Sequence, residues 1–154
     1  MKFITLDIGG EGRHPEAWNI NPCRVKTFGP ERGAPIARLI LARAERLPFA
    51  TGSVDRVIVE RTPLGDAAIR EIARVIRPGG EVLLRHVPLP TSDRHHRAQQ
   101  ILAAPFTQTR AYIGGQEVLQ TKFRLPEGVE IRWRRQVVIF TPAGCRSRRD
   151  GRFW

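Results

Sequence analysis

Lysine is scarce in this chain: three residues against 23 arginines. Cysteine is scarcer still, at two, Cys23 and Cys145. Two cysteines are too few for a disulfide scaffold, and this pair lacks zinc-ligand spacing, so both are expected as free thiols. Aromatic residues make up 7% of the chain and do not interleave with the arginines, which argues against a base-stacking platform for single-stranded nucleic acid. No apolar run approaches the roughly 20 residues that cross a bilayer. The opening Met1–Asp7 places an acid where a secretory leader needs an apolar stretch. A cytoplasmic chain with no membrane association is therefore expected.

What is present is globular usage. Of 154 residues, 41% are hydrophobic and 27% charged, enough for one packed core and one domain. The net charge is +11, and it is uneven: residues 94–154 hold 12 basic and four acidic residues, a net of +8. A basic stripe is the footprint of a polyanion partner. The arginine-for-lysine skew, however, has the form of a composition bias, so nucleic acid is not the expected partner.

Phe3–Ile8 is a short β-rich run ended by Gly9-Gly10, and Ala17–Asn21 reads as a short strand ended by Pro22. Residues 22–35 hold Pro22, Gly29, Pro30, Gly33 and Pro35 and admit no long helix. Residues 36–47 fit either a buried strand at 38–41 or a short amphipathic helix using Ile36, Leu39 and Ile40. Val54–Glu60 reads as a strand. Ile69, Ile72, Ala73 and Ile76 then recur at helical spacing, and Pro78-Gly79-Gly80 stops that helix after Arg77. Glu81–Val87 is a strong strand. Asp93 caps a helix reaching about Ala104, and turn signals at Gly114-Gly115 and Glu127-Gly128 punctuate a β-like end. Val137–Phe140 is a last apolar strand, and 143–154 is a basic tail behind a single domain spanning 1–142.

Three stretches carry a family resemblance: Leu6-Asp7-Ile8-Gly9-Gly10-Glu11-Gly12, Ala44-Glu45-Arg46-Leu47-Pro48-Phe49-Ala50-Thr51-Gly52-Ser53-Val54-Asp55, and Ile69–Gly80, reading IREIARVIRPGG. In this order they resemble the glycine turn, the LPF segment and the RPGG helix exit of class I S-adenosylmethionine-dependent methyltransferases of the small-molecule type. The resemblance covers about residues 2–87. It implies an α/β fold: a reduced Rossmann-like methyltransferase sheet, mostly parallel with antiparallel C-terminal strands, and helices mainly on one face. It also implies S-adenosylmethionine as cofactor and a small molecule as substrate.

Residue by residue, the resemblance places Asp7, Gly9, Gly10, Gly12, Asn21, Arg43 and Ala44 at cofactor-contact positions. Several depart from the family pattern. In the straight alignment Glu11 stands at the second glycine and Arg13 at the third, while a one-residue slip pairs Gly10 and Gly12 with two glycines. The ribose-binding acid is replaced by asparagine, and the adenine-binding Asp by Arg43, which cannot accept from the adenine amino group. These departures imply cofactor binding weaker than the family norm. The short segments 11–18 and 22–35 leave no room for the helices that follow the first two strands, and a lid helix is likewise not expected.

At the carboxyl edge of the sheet, His86 and Glu11 are the candidate catalytic acid–base groups, and Glu60 and Arg61 the candidate substrate contacts. The first function is a methyltransferase-like enzyme with an impaired cofactor site. The alternatives are cofactor-independent acid–base chemistry, such as a cyclisation or isomerisation, and a non-catalytic assembly module. No convergent ligands suggest a metal site. The fourth and fifth strands look apolar on both faces, so a homodimer covering the face without helices is expected.

Overall fold

The computed structural model describes residues 2–127. The expected strand at Val137–Phe140 and the basic tail lie outside them. Nine elements follow in order: β1 (Thr5–Ile8), β2 (Trp18–Asn21), β3 (Leu39–Leu41), β4 (Val54–Glu60), α1 (Asp66–Val75), β5 (Ile76–His86), α2 (His96–Leu102), β6 (Phe106–Ile113) and β7 (Gln116–Arg124). One seven-stranded sheet has the order β3-β2-β1-β4-β5-β7-β6. The first five strands run parallel, and β7 is antiparallel to both β5 and β6. Strand order reverses between β1 and β4, and open α/β sheets keep their ligand crevice at the carboxyl ends of strands flanking such a reversal.

Alternation sorts the strand side chains. Leu6 and Ile8, Val57 and Val59, and Val82 and Leu84 share one core with Ala68, Ile69, Ile72 and Val75 of α1 and Ala98 of α2. Both helices therefore cover the same face, as expected. Helix α1 ends at Val75, two residues before the expected Arg77. Ile76 is already extended and pairs with Val54, and Pro78 biases Arg77 away from helical geometry. Arg74 clamps α1 to the preceding segment, donating to the carbonyls of Leu47 and Phe49 while paired with Glu71.

The opposite face corrects one expectation. It carries Thr5, Asp7, Asn19, Asn21, Arg56, Glu60, Glu81 and Arg85, interrupted by Ile58 and Leu83. Glu81 meets Arg56 at 3.2 Å, Lys122 at 3.6 Å and Arg124 at 3.8 Å. Ile58 and Leu83 are only 3% and 7% exposed. The face is thus polar, and its two central apolar side chains are already covered. Among the described residues this face has no bare apolar surface of the kind that motivated a homodimer.

Residues 36–47 resolve as a strand: β3 pairs with β2, and no amphipathic helix forms from Ile36, Leu39 and Ile40. Residues 22–38 carry no helix. They fold into a small loop tied by Lys26 N–H to Ala34 O and Gly33 N–H to Lys26 O. Buried Cys23 is disulfide-bonded, not the expected free thiol, and Cys145 lies outside the described residues.

Candidate active site

The glycine turn leaves β1 and is laced back onto β2 by two asparagines. Asn21 donates through Nδ2 to Gly10 O at 3.2 Å and accepts Cys23 N–H at 2.9 Å. Asn19 accepts Gly12 N–H at 3.1 Å and donates to Ala37 O at 2.8 Å. Gly9 N–H reaches Ile20 O at 2.8 Å. A Cβ on Gly9 would fall 2.3 Å from Thr62 Oγ1, and one on Gly10 would fall 2.4 Å from Asn19 Oδ1. Both glycines are therefore needed for close approach within the chain itself. Gly12 differs: its φ is +101° and open space surrounds the place a Cβ would take.

Beside this turn, at the reversal of strand order, lies a cavity of about 540 Å³. It brings together Asp7, Gly9, Gly10, Glu11, Gly12, Glu60 and Arg61 of the sequence-derived candidates. Arg13, Lys26, Phe28 and Thr62 complete much of its wall. Asn21, Arg43, Ala44 and His86 are not part of that wall. Asn21 is buried behind the turn, Ala44 lies fully buried in the core, and Arg43 sits in a tight turn in which its carbonyl accepts Arg46 N–H at 3.1 Å.

The two cavity acids differ sharply. Asp7 is 3% exposed, and burial pushes its carboxyl up to about 7, against the pull of nearby His14 and Arg13. Glu60 is also desolvated, but three cationic or donor groups more than offset this and hold it below the usual carboxylate range. Its Oε1 meets His14 Nε2 at 2.5 Å and Arg85 Nη1 at 2.9 Å, and its Oε2 accepts from Arg13 Nη1 at 3.0 Å. Arg61 has a left-handed φ of 54°, uncommon for a non-glycine residue, and its N–H donates to Arg85 O at 2.8 Å. Burial and the neighbouring Arg13 charge push its guanidinium pKa down.

The expected catalytic pair does not converge. Glu11 borders the cavity, but its Oε1 accepts from both Thr27 N at 2.9 Å and Thr27 Oγ1 at 2.6 Å, which pins the 22–38 loop to the glycine turn. His86 points to the helix-covered face, in step with Val82 and Leu84. It is 5% exposed, with Nε2 2.7 Å from Thr62 O and Nδ1 2.8 Å from His95 Nε2. His95 Nδ1 lies 2.7 Å from Thr121 Oγ1. Thr62 O can only accept, so His86 carries its proton on Nε2, and His95 donates to His86 and accepts from Thr121. This buried chain supports the cleft wall through Thr62 and leaves neither imidazole facing the cavity.

Sequence reasoning missed Arg13, His14, Lys26, Thr62 and Arg85 as site residues. Period-two alternation carried the signal for one of them. It puts Arg85 on the face of Glu60 and His86 on the other. Among the described residues there is no metal-holding group of three or more His, Cys, Asp or Glu. Nor is any helix among them long and apolar enough to cross a membrane.

The sequence model of the family described as "Methyltransferase domain" matches residues 17–84. That span holds the LPF and RPGG segments but not the glycine turn. Solved structures with similar folds include the YcgJ protein from Bacillus subtilis, with TM-score 0.58, 16% identity, and coverage of 82% of this chain and 93% of that one. Another is the [4+2]-cyclase SpnF, with TM-score 0.60, 16% identity, and coverage of 82% and 75%. A third is the 1,6-didemethyltoxoflavin-N1-methyltransferase of Burkholderia thailandensis, whose structure holds S-adenosylhomocysteine, with TM-score 0.59, 12% identity, and coverage of 80% and 71%. No curated protein matches the sequence significantly. The resemblance to class I S-adenosylmethionine-dependent methyltransferases thus holds: the chain has their fold and matches a methyltransferase-domain family.

Proposed function

We propose that this chain is an enzyme of the methyltransferase fold that performs acid–base chemistry on a small molecule in the cleft at the ends of β1 and β4. The observation that carries the reading is the split between two carboxyls lining one cavity: Asp7 raised to about 7 and Glu60 held low. Environments that push neighbouring acids apart are how one site keeps a proton donor and a fixed anion at neutral pH. Asp7 is poised to give or take a proton, and Glu60 orients Arg13, His14 and Arg85 around it. A cyclisation or isomerisation that runs by proton transfer uses such a group and no cofactor.

The residues do not fit S-adenosylmethionine as its family binds it. No carboxylate stands at the end of β2, where Asn21 is occupied with Gly10 O and Cys23 N–H. Asn19 likewise ties down Gly12 N–H. Methyl transfer remains the second reading, supported by the fold, the family match and the open space at Gly12, which suits the slipped alignment. Calorimetric titration with S-adenosylmethionine and S-adenosylhomocysteine separates the two. The first reading expects no saturable heat at concentrations where family members saturate, together with an Asp7 carboxyl that titrates near neutrality by carbon-13 NMR. Tight cofactor binding, or an Asp7 that titrates as an ordinary carboxylate, overturns it.

A further inference from the structure

Resting on the reading that the cleft takes a small molecule, we propose that Arg61 is the docking point for a carboxylate on that molecule, making the substrate a monoanionic organic acid. The argument starts from pairing. The cavity's other cations have partners: Arg13 is bound to Glu60, and Lys26 to Glu31. Arg85, behind Glu60, is bound to it as well. Among the described residues Arg61 makes no ion pair within 4 Å and no side-chain hydrogen bond, yet it lines the cavity beside those groups. Its guanidinium is partly desolvated and feels the Arg13 charge, which Glu60 only partly offsets. A ligand anion at this position offsets both with an opposite charge.

Backbone geometry points the same way. A left-handed φ at a non-glycine residue is unfavourable by about 1 kcal/mol or more. Arg61 holds it at the strand end, where its N–H is fixed to Arg85 O. Among the described residues no partner of the side chain accounts for keeping an arginine at this strained position. A planar guanidinium matches a carboxylate by two parallel hydrogen bonds. Charge selects the class of anion. Around the cavity the four cations Arg13, Lys26, Arg61 and Arg85 face the three glutamates Glu11, Glu31 and Glu60, so with Asp7 protonated one further negative charge is balanced, whereas a phosphate dianion would bring an uncompensated one. Asp7, when protonated, is a donor for the same ligand.

The test is a titration followed by nitrogen-15 NMR of the arginine Nε–H groups and the Gly12 amide. The probes are benzoate and cyclohexanecarboxylate, each beside its neutral primary amide, with inorganic phosphate and S-adenosylmethionine as separate arms. The acids are expected to shift the Arg61 and Gly12 signals and the amides to leave them in place. Loss of a charge-assisted pair predicts that Arg61→Gln raises Kd about tenfold or more, while Arg61→Lys retains part of the affinity. The proposal is overturned if no acid moves the Arg61 signal, if acids and amides bind alike, or if phosphate binds more tightly than the acids. It is also overturned if S-adenosylmethionine binds through Arg61. Failure here is distinct from failure of the acid–base reading. Asp7→Asn tests the latter: it removes the titrating proton, while the preference for acids over their amides, which resides on Arg61, is expected to persist in that variant.

Discussion

Two buried groups should make stability almost insensitive to pH in the native chain and strongly sensitive in single variants. His95 is 3% exposed, and burial together with the nearby His86 pushes its imidazole down from 6.5 to about 4. Below its unfolded pKa the unfolded chain then binds more protons, so His95 removes stability as pH falls from about 6.5 toward 4. Asp7 is shifted the other way, from 3.8 to about 7. Here the native chain binds more protons, so Asp7 adds stability as pH falls from about 7 toward 4. Between about pH 7 and 5, linkage gives a loss of about 2 kcal/mol from His95 and a gain of about 2 kcal/mol from Asp7. The two nearly cancel. His86, whose pKa is also lowered by burial, tilts the balance slightly toward loss on the acid side.

The assay is urea unfolding at about pH 5, 6 and 7, followed by tryptophan fluorescence, for the native chain, His95→Gln and Asp7→Asn. Only the pH dependence within each protein is read, so the constant effect of each substitution drops out. His95→Gln should become about 2 kcal/mol more stable at pH 5 than at pH 7, and Asp7→Asn about 2 kcal/mol less stable. The reasoning is refuted if all three proteins share one pH profile.

Gly10→Ala forces a Cβ to within 2.4 Å of Asn19 Oδ1 and 2.5 Å of Asp7 Cγ. It should cost about 1–3 kcal/mol in unfolding free energy, measured in the same urea series, because buried overpacking has no free space to use. Glu60→Gln leaves Arg13, His14 and Arg85 facing a neutral amide, and a loss of about 2 kcal/mol is expected, read from the thermal midpoint. If the net +8 of residues 94–154 is composition bias, duplex DNA should bind weakly, without sequence preference, and release as salt rises in a fluorescence-anisotropy titration. Thr27→Val removes the hydroxyl partner of Glu11 but keeps its backbone one, so loop 22–38 should show faster amide exchange with little change in global stability.

The parts of the fold open to sequence reading are those written by repetition. Ile69, Ile72 and Ala73 at helical spacing located α1, and the apolar runs at 54–60 and 81–86 located the central strands. Gly114-Gly115 marked the hairpin turn between β6 and β7. Residues 39–41 escaped because three residues are too few to display a period, and only the pairing with β2 decides their state. Counting valines and isoleucines made β4 and β5 look apolar on both faces. Setting Arg56, Glu60, Glu81 and Arg85 on the same alternation gives the polar face that the structure has.

The site shows the same division more sharply. Motif position brought Asp7, the glycines, Glu60 and Arg61 to one cavity, because strand ends and strand order are fixed by the fold. Chemistry was harder to assign, because it depends on which groups meet across the sheet. Glu11 and His86 have the right residue types for acid–base work, yet each is already engaged, one by Thr27 and the other by Thr62 O and His95. Asp7 drew attention only as part of a glycine motif, and it is the group whose surroundings bring its proton into play near neutrality. The difference lies in desolvation without a full ion pair. Glu60 sits in the same cavity with three partners and stays ionised; Asp7, more deeply buried, feels His14 and Arg13 without an ion pair to either. An acid's role in this cleft is therefore set less by its position along β1 or β4 than by whether Arg13, His14 and Arg85 reach it; strand alternation places Arg85, but Arg13 and His14 lie in a loop that no strand or helix period encodes.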